Sequence, residues 1–87
     1  MNYTELSELF DKVTTDIYNY SSYHVWYNYG NEYWAQDNSY VTFDVYGHSD
    51  QGHGADWTEY WSINSDGWIY TDDNVYKTYE DFKNNWG

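Results

Sequence analysis

Tyr40-Val41-Thr42-Phe43-Asp44-Val45-Tyr46 is the stretch on which the fold turns. Side chains alternate across an extended strand, so Val41, Phe43 and Val45 share one face, and Tyr40, Thr42, Asp44 and Tyr46 the other. One aliphatic face and one polar, aromatic face is the pattern of an antiparallel sheet covered on a single side. Residues 23–29 are rich in strand formers and run into Gly30-Asn31, read as a hairpin turn, with residues 32–35 completing a short hairpin. Downstream, residues 47–56 read as a glycine-rich loop. Residues 57–64 and 68–71 then read as strands joined by the Ser65-Asp66-Gly67 turn, and Asp72-Asp73-Asn74 breaks the sheet.

Helices flank this region. Leu6, Leu9, Phe10, Val13 and Ile17 recur at helical spacing and form one apolar stripe. Asn2 with Glu5 three residues later predicts a capping box at its start, and residues 19–22 its end. Thr78 predicts the N-cap of a short helix over 79–86, with Glu80 and Asp81 in the first turn. The expected architecture is a single α+β domain over residues 1–87. It has an N-terminal helix, a three- to four-stranded antiparallel sheet and a short C-terminal helix. The helices are expected on the face of Val41, Phe43, Val45, Ile63 and Ile69. Tyr40, Tyr46, Tyr60, Trp68 and Tyr70 are expected on the other, with little chain left to cover it.

A chain of 87 residues buries only about 60% of its unfolded surface, so its core is thin. No cysteine is present to staple it. Thirteen Tyr, six Trp and three Phe supply the buried area instead, and that content opposes disorder despite the acidity. Most of these rings are expected in the core, with Tyr20, Tyr27, Tyr29, Tyr46 and Tyr60 outside. No apolar run has the length of a membrane span, and the first residues lack the basic and apolar regions of a secretory signal. A chain complete as it stands is therefore expected in the cytoplasm of the cell that makes it.

Charge narrows the function. Fifteen Asp and Glu oppose Lys12, Lys77 and Lys83, with no Arg, for a net charge of −12. Binding a phosphate backbone needs cations that displace its counterions, so direct nucleic-acid binding is not expected. The same repulsion excludes an anionic membrane surface. A basic protein partner remains, and partner-binding residues are expected among Glu32, Asp37, Asp44, Tyr46, Glu59, Tyr60, Asp72, Asp73, Glu80 and Asp81. Spread evenly over ~5,500 Å2, the net charge is about one per 450 Å2, against about one per 100 Å2 on duplex DNA. Imitation of DNA therefore requires the carboxylates to crowd together. A purely solubilising role is the competing explanation, but it would tolerate more balancing Lys.

Other chemistries are weaker in the sequence. His48, Asp50, His53 and Asp56 are suitable metal ligands, yet their spacing matches no established site, and no metal or other cofactor is expected. Asp44 and Glu59 offer a carboxylate pair of the kind glycosidases use, but fifteen acids always yield some pair. Nucleophile elbow and phosphate-binding glycine loop are both absent, so no enzymatic activity is expected. The alternative from another class is a carbohydrate-binding module, with Trp and Tyr platforms stacking on sugar rings. Self-association through the uncovered aromatic face, giving a homodimer, is a further reading.

In size, charge and element order, the whole chain resembles the small acidic proteins by which phages inhibit host defence, in particular anti-CRISPR proteins that act as DNA mimics. Gly30-Asn31-Glu32-Tyr33 and Phe82-Lys83-Asn84-Asn85-Trp86 are the short strings that share their look. The resemblance implies an N-terminal helix, a three-stranded antiparallel sheet and a terminal helix. It also implies, as target, a CRISPR-Cas effector or other host-defence nuclease, whose Arg and Lys residues hold nucleic acid.

Overall fold

The computed structural model describes residues 1–22, 24–52 and 55–87. Tyr23, expected at the head of the first strand, and His53, one of the suggested metal ligands, lie outside them. The capping box forms: the Glu5 N–H donates to Asn2 Oδ1 at 2.8 Å, and the Asn2 N–H to Glu5 Oε1 at 3.1 Å. It starts α1 (Tyr3–Asn19), which buries Leu6, Leu9, Phe10, Val13 and Ile17, the stripe read from the sequence. Thr78 likewise caps α2 (Tyr79–Asn85), accepting from the Asp81 N–H at 3.0 Å, and Phe82 is the residue it buries.

Between the helices run β1 (Ser21–Ser22), β2 (Val25–Trp34), β3 (Tyr40–Ser49), β4 (Asp56–Asn64), β5 (Ile69–Tyr70) and β6 (Val75–Tyr76). All neighbours pair antiparallel in simple chain order. The fold is α+β as expected, but the sheet has six strands rather than three or four. Three long ones form its body, and three two-residue strands extend its edges. Both helices pack on one face, where Val41, Phe43, Val45, Trp61, Ile63, Ile69 and Tyr76 meet the α1 stripe and Phe82.

Two sequence expectations need correction. Gly30-Asn31 is a β-bulge inside one continuous strand, not a turn between two. Gly30 pairs with Asp44 and Tyr33 with Thr42, so Asn31 and Glu32 together oppose Phe43. Asn31 takes a positive φ of 53°, which an asparagine tolerates. The extra residue reverses the alternation. Tyr27 and Tyr29 point to the covered face before it, and Trp34 after it. Tyr27 and Tyr29, expected outside, therefore pack against the core, and Tyr20 is half-buried against Tyr27 and Trp86. The second correction concerns residues 47–56. The ladder of β3 and β4 continues through Gly47↔Trp57 to His48↔Asp56, which shortens the loop.

Gly47 is required by its neighbour. A Cβ there would overlap the Trp57 indole, which packs against the glycine. Gly47→Ala should cost about 1–3 kcal/mol. Urea unfolding measures the loss, and the Trp57 indole N–H resonance should move because the ring must swing away.

Candidate protein-binding face

The uncovered face follows from register. Tyr40, Thr42, Asp44, Tyr46 and His48 of β3 stand between Trp26, Asn28, Gly30 and Tyr33 of β2 and Asp56, Thr58, Tyr60 and Ser62 of β4. Large rings remain in solvent here: Trp26, Tyr33, Tyr40, Tyr46 and Tyr60 are all exposed, Tyr60 by 73%. Trp26, Tyr33 and Tyr40 were not singled out from the sequence as partner-binding residues. Alternation outward from the central strand carries the signal for all three, once the bulge is counted.

Asp44 lies at the middle of this face. Its Oδ2 accepts from Asn31 Nδ2 at 2.9 Å and from the Tyr46 hydroxyl at 3.3 Å, while Asn31 also donates to the Tyr46 oxygen at 2.7 Å. The bulge is what turns Asn31 toward this cluster. Loss of surrounding water, then the Asp44 charge, pushes the Tyr46 phenol above its ordinary value. Tyr60 sits directly across from Asp44. Its backbone N–H, on the free edge of β4, donates to Asp72 Oδ1 at 3.1 Å. Asp44, Tyr46, Tyr60 and Asp72 are therefore brought together.

Toward the far end, Trp26 stacks on His48 with ring centroids 5.6 Å apart, and His48 Nδ1 is hydrogen-bonded to Asp56. Trp26, Asn28, Tyr46, His48 and Thr58 line an open hollow of about 380 Å3. His24 bonds to Asp50, which holds that carboxyl below its ordinary value. Of the residues considered as metal ligands, the three described divide, His48 with Asp56 and Asp50 with His24. Among the described residues, no three His, Cys, Asp or Glu side chains gather to hold a metal ion.

The remaining expected partner residues lie elsewhere. Glu32 stands on the bulge, its Oε1 accepting from the Trp34 indole at 3.4 Å. Asp37 is in the β2–β3 turn, its carboxyl held low by the Ser39 hydroxyl and N–H. Glu80 and Asp81 occupy the first turn of α2. Glu59 faces the covered side, since it pairs with Val45. Asp44 and Glu59 consequently point to opposite sides of the sheet and cannot act as a carboxylate pair. Asp73 shares a cleft with Glu59 at the sheet edge.

The three long strands carry no cation. β2, β3 and β4 hold Glu32, Asp44, Asp56 and Glu59 and neither Lys nor Arg. Lys12 and Lys83 stand over the Tyr79 ring at 5.5 and 5.9 Å, and Lys77 over Trp68 at 4.8 Å. Tyr79 also joins the helices, its hydroxyl donating to Asp16 Oδ2 at 2.6 Å. Burial, then that bond, pushes its phenol up from 10.0 to about 12. A raised phenol stabilises the fold fully below pH 10.0 and loses that contribution as pH rises through about 12. Thermal melting between pH 9 and 12 should fall, and Tyr79→Phe should make the fall shallower.

Comparison with known proteins turns up no relative. No family model, curated protein or solved structure matches the chain.

Proposed function

We propose that this is a non-catalytic binding protein whose uncovered sheet face engages a basic nucleic-acid-binding protein, its carboxylates taking the places of phosphates. One observation carries the reading: the three long strands present exposed Trp and Tyr rings around Asp44 and Asp56 without a single Lys or Arg. Aromatic side chains are the usual anchors of protein interfaces, and carboxylates around them favour Lys- and Arg-rich partners. A second copy of this chain fits less well. Face to face, it would set Asp44 and Asp56 against their own kind at −12 per chain. By the family resemblance, the partner would be a Cas effector or another host-defence nuclease, inhibited stoichiometrically in the cytoplasm of the host cell.

Over the whole surface the charge is too dilute for DNA. A surface of 5578 Å2 carrying −12 has about one net charge per 460 Å2, several-fold below the duplex. Imitation on this scale is local. It is confined to the strip of Asp44, Tyr60 and Asp72 and the His48–Asp56 end. Capture from host lysate at low salt, eluting as salt rises, should enrich one DNA-handling protein, and nucleic acid should compete with the chain for it. Enrichment of no such protein, or elution indifferent to salt, would end the proposal.

The hollow beside Trp26 supports a second reading, as a carbohydrate-binding module. A stacked ring bordered by Asn28, Asp56 and Thr58 suits a sugar face and its hydroxyls. Glycan binding that persists at high salt and disappears in Trp26→Ala would establish it over the first.

A further inference from the structure

Glu59 is a carboxylate on the side of the sheet that the helices cover. It is held there by two indoles at i−2 and i+2, with Trp57 Nε1 donating to Oε2 at 2.9 Å and Trp61 Nε1 to Oε1 at 3.0 Å. Both donors are neutral, so the charge is oriented and left uncompensated. Glu59 faces a cleft of about 280 Å3 at the sheet edge, with Asp73 on its wall. Among the described residues, no Lys nitrogen reaches either carboxylate, and nothing donates a hydrogen bond to the Asp73 side chain. Tyr20, Tyr27 and Trp86 form part of the wall as a mutually packed set, with centroids 4.9–5.4 Å apart. The field of both acids reaches them. Burial first, then Glu59, Tyr20 and Asp73, raises the Tyr27 phenol.

We propose that this cleft binds an organic cation, a guanidinium or alkylammonium group, between Glu59 and Asp73 and against the rings of Tyr27 and Trp86. A half-buried carboxylate gains most from a partner of opposite charge, and aromatic faces add attraction for cations that shed water easily. A hard divalent metal is a poorer occupant, since it requires a fuller shell of oxygen ligands. The cleft opens on the layer opposite the uncovered face, so this site does not depend on the function proposed above. Two sources present the same chemistry, an Arg or Lys side chain of a partner and a free small amine.

The test is a titration of the folded protein, followed by NMR on the Trp57 and Trp61 indole N–H resonances. The probes are N-acetyl-arginine amide, tetramethylammonium and, as the uncharged control, N-acetyl-norleucine amide. The cations should give saturable shifts at millimolar concentration and the control none. A stronger response to the arginine derivative assigns a protein side chain as ligand, and a stronger one to tetramethylammonium a free amine. Asp73→Asn removes no hydrogen bond of the fold and should weaken binding at least tenfold. Glu59→Gln should do the same, with circular dichroism checking that it folds, while Asp44→Asn on the other face should leave binding unchanged. Equal shifts from the uncharged control, no saturation, or undiminished binding by Asp73→Asn would overturn the site.

Discussion

Trp61→Ala should lower the unfolding free energy by about 3–5 kcal/mol, the range for deleting a large buried aromatic. Trp61 is 2% exposed and touches both layers. It meets Phe43 on the sheet at a centroid distance of 6.1 Å, and Phe82 and Trp86 from the α2 side at 5.8 and 5.4 Å, edge-on. Its removal leaves a hole where sheet and helix meet, and takes from Glu59 one of its two indole donors. Small domains have about 5–15 kcal/mol in total, so this one change consumes a large share. Trp61→Phe is the milder change. It keeps a ring in the cluster, loses the N–H and leaves a smaller hole, for an expected cost of about 1–3 kcal/mol. Urea midpoints for the two variants, read by circular dichroism, check the order. A Trp61→Ala protein with wild-type stability would mean that the aromatic cluster does not hold the layers together.

The parts of this fold that were readable from sequence are those where one local signal has one meaning. Alternation in β3 placed Val41, Phe43 and Val45 on the covered face, where all are buried. The Asn2–Glu5 box and Thr78 marked helix starts because a capping side chain satisfies N–H groups that have no partner within the helix. Gly30-Asn31 failed for the opposite reason. A hairpin turn and a bulge both call for a residue at positive φ, so the dipeptide is compatible with either. What decides is that Tyr33 and Trp34 go on pairing with Thr42 and Val41, a long-range fact. His48 and Asp56 fall within the stretch that reads as a glycine-rich loop. On an uncovered face polarity costs nothing, and the ladder runs through them.

Glu59 is the more instructive case. It shares parity with Trp57, Trp61 and Ile63, so the pattern already placed it on the covered face, against the expectation that a carboxylate is solvated. The Trp-x-Glu-x-Trp spacing resolves that conflict, because residues two apart on a strand lie side by side and each indole carries one N–H to donate. The acids expected to act together were grouped by nearness in sequence. Yet Asp72 caps the β4 edge, Asp73 enters the cleft and Glu80 starts a helix. Adjacent positions at a turn commonly diverge in this way, whereas cross-strand partners such as Asp44 and Tyr60 stay together.

Tyr60→Ala is the change expected to weaken partner binding most while sparing the fold. The ring is 73% exposed and belongs to no core contact, so stability should move by no more than about 1 kcal/mol, the span of strand propensity. At an interface the same ring would be fully desolvated, flanked by Asp44 across the ladder and Asp72 at its own backbone. Truncating an anchor of this kind costs about 2–4 kcal/mol of binding, or roughly thirtyfold to a thousandfold in Kd. Asp44→Asn should behave differently. An asparagine oxygen can still accept from Asn31 and Tyr46, so the surface keeps its shape and loses one charge. The loss should fall mainly on the association rate and make the salt dependence shallower, whereas Tyr60→Ala should act on dissociation. Surface plasmon resonance against the captured partner, at two salt concentrations, separates the two. If both variants bind as the wild type does, the uncovered face is not where the partner sits, and the exposed rings of β2 to β4 require another occupant.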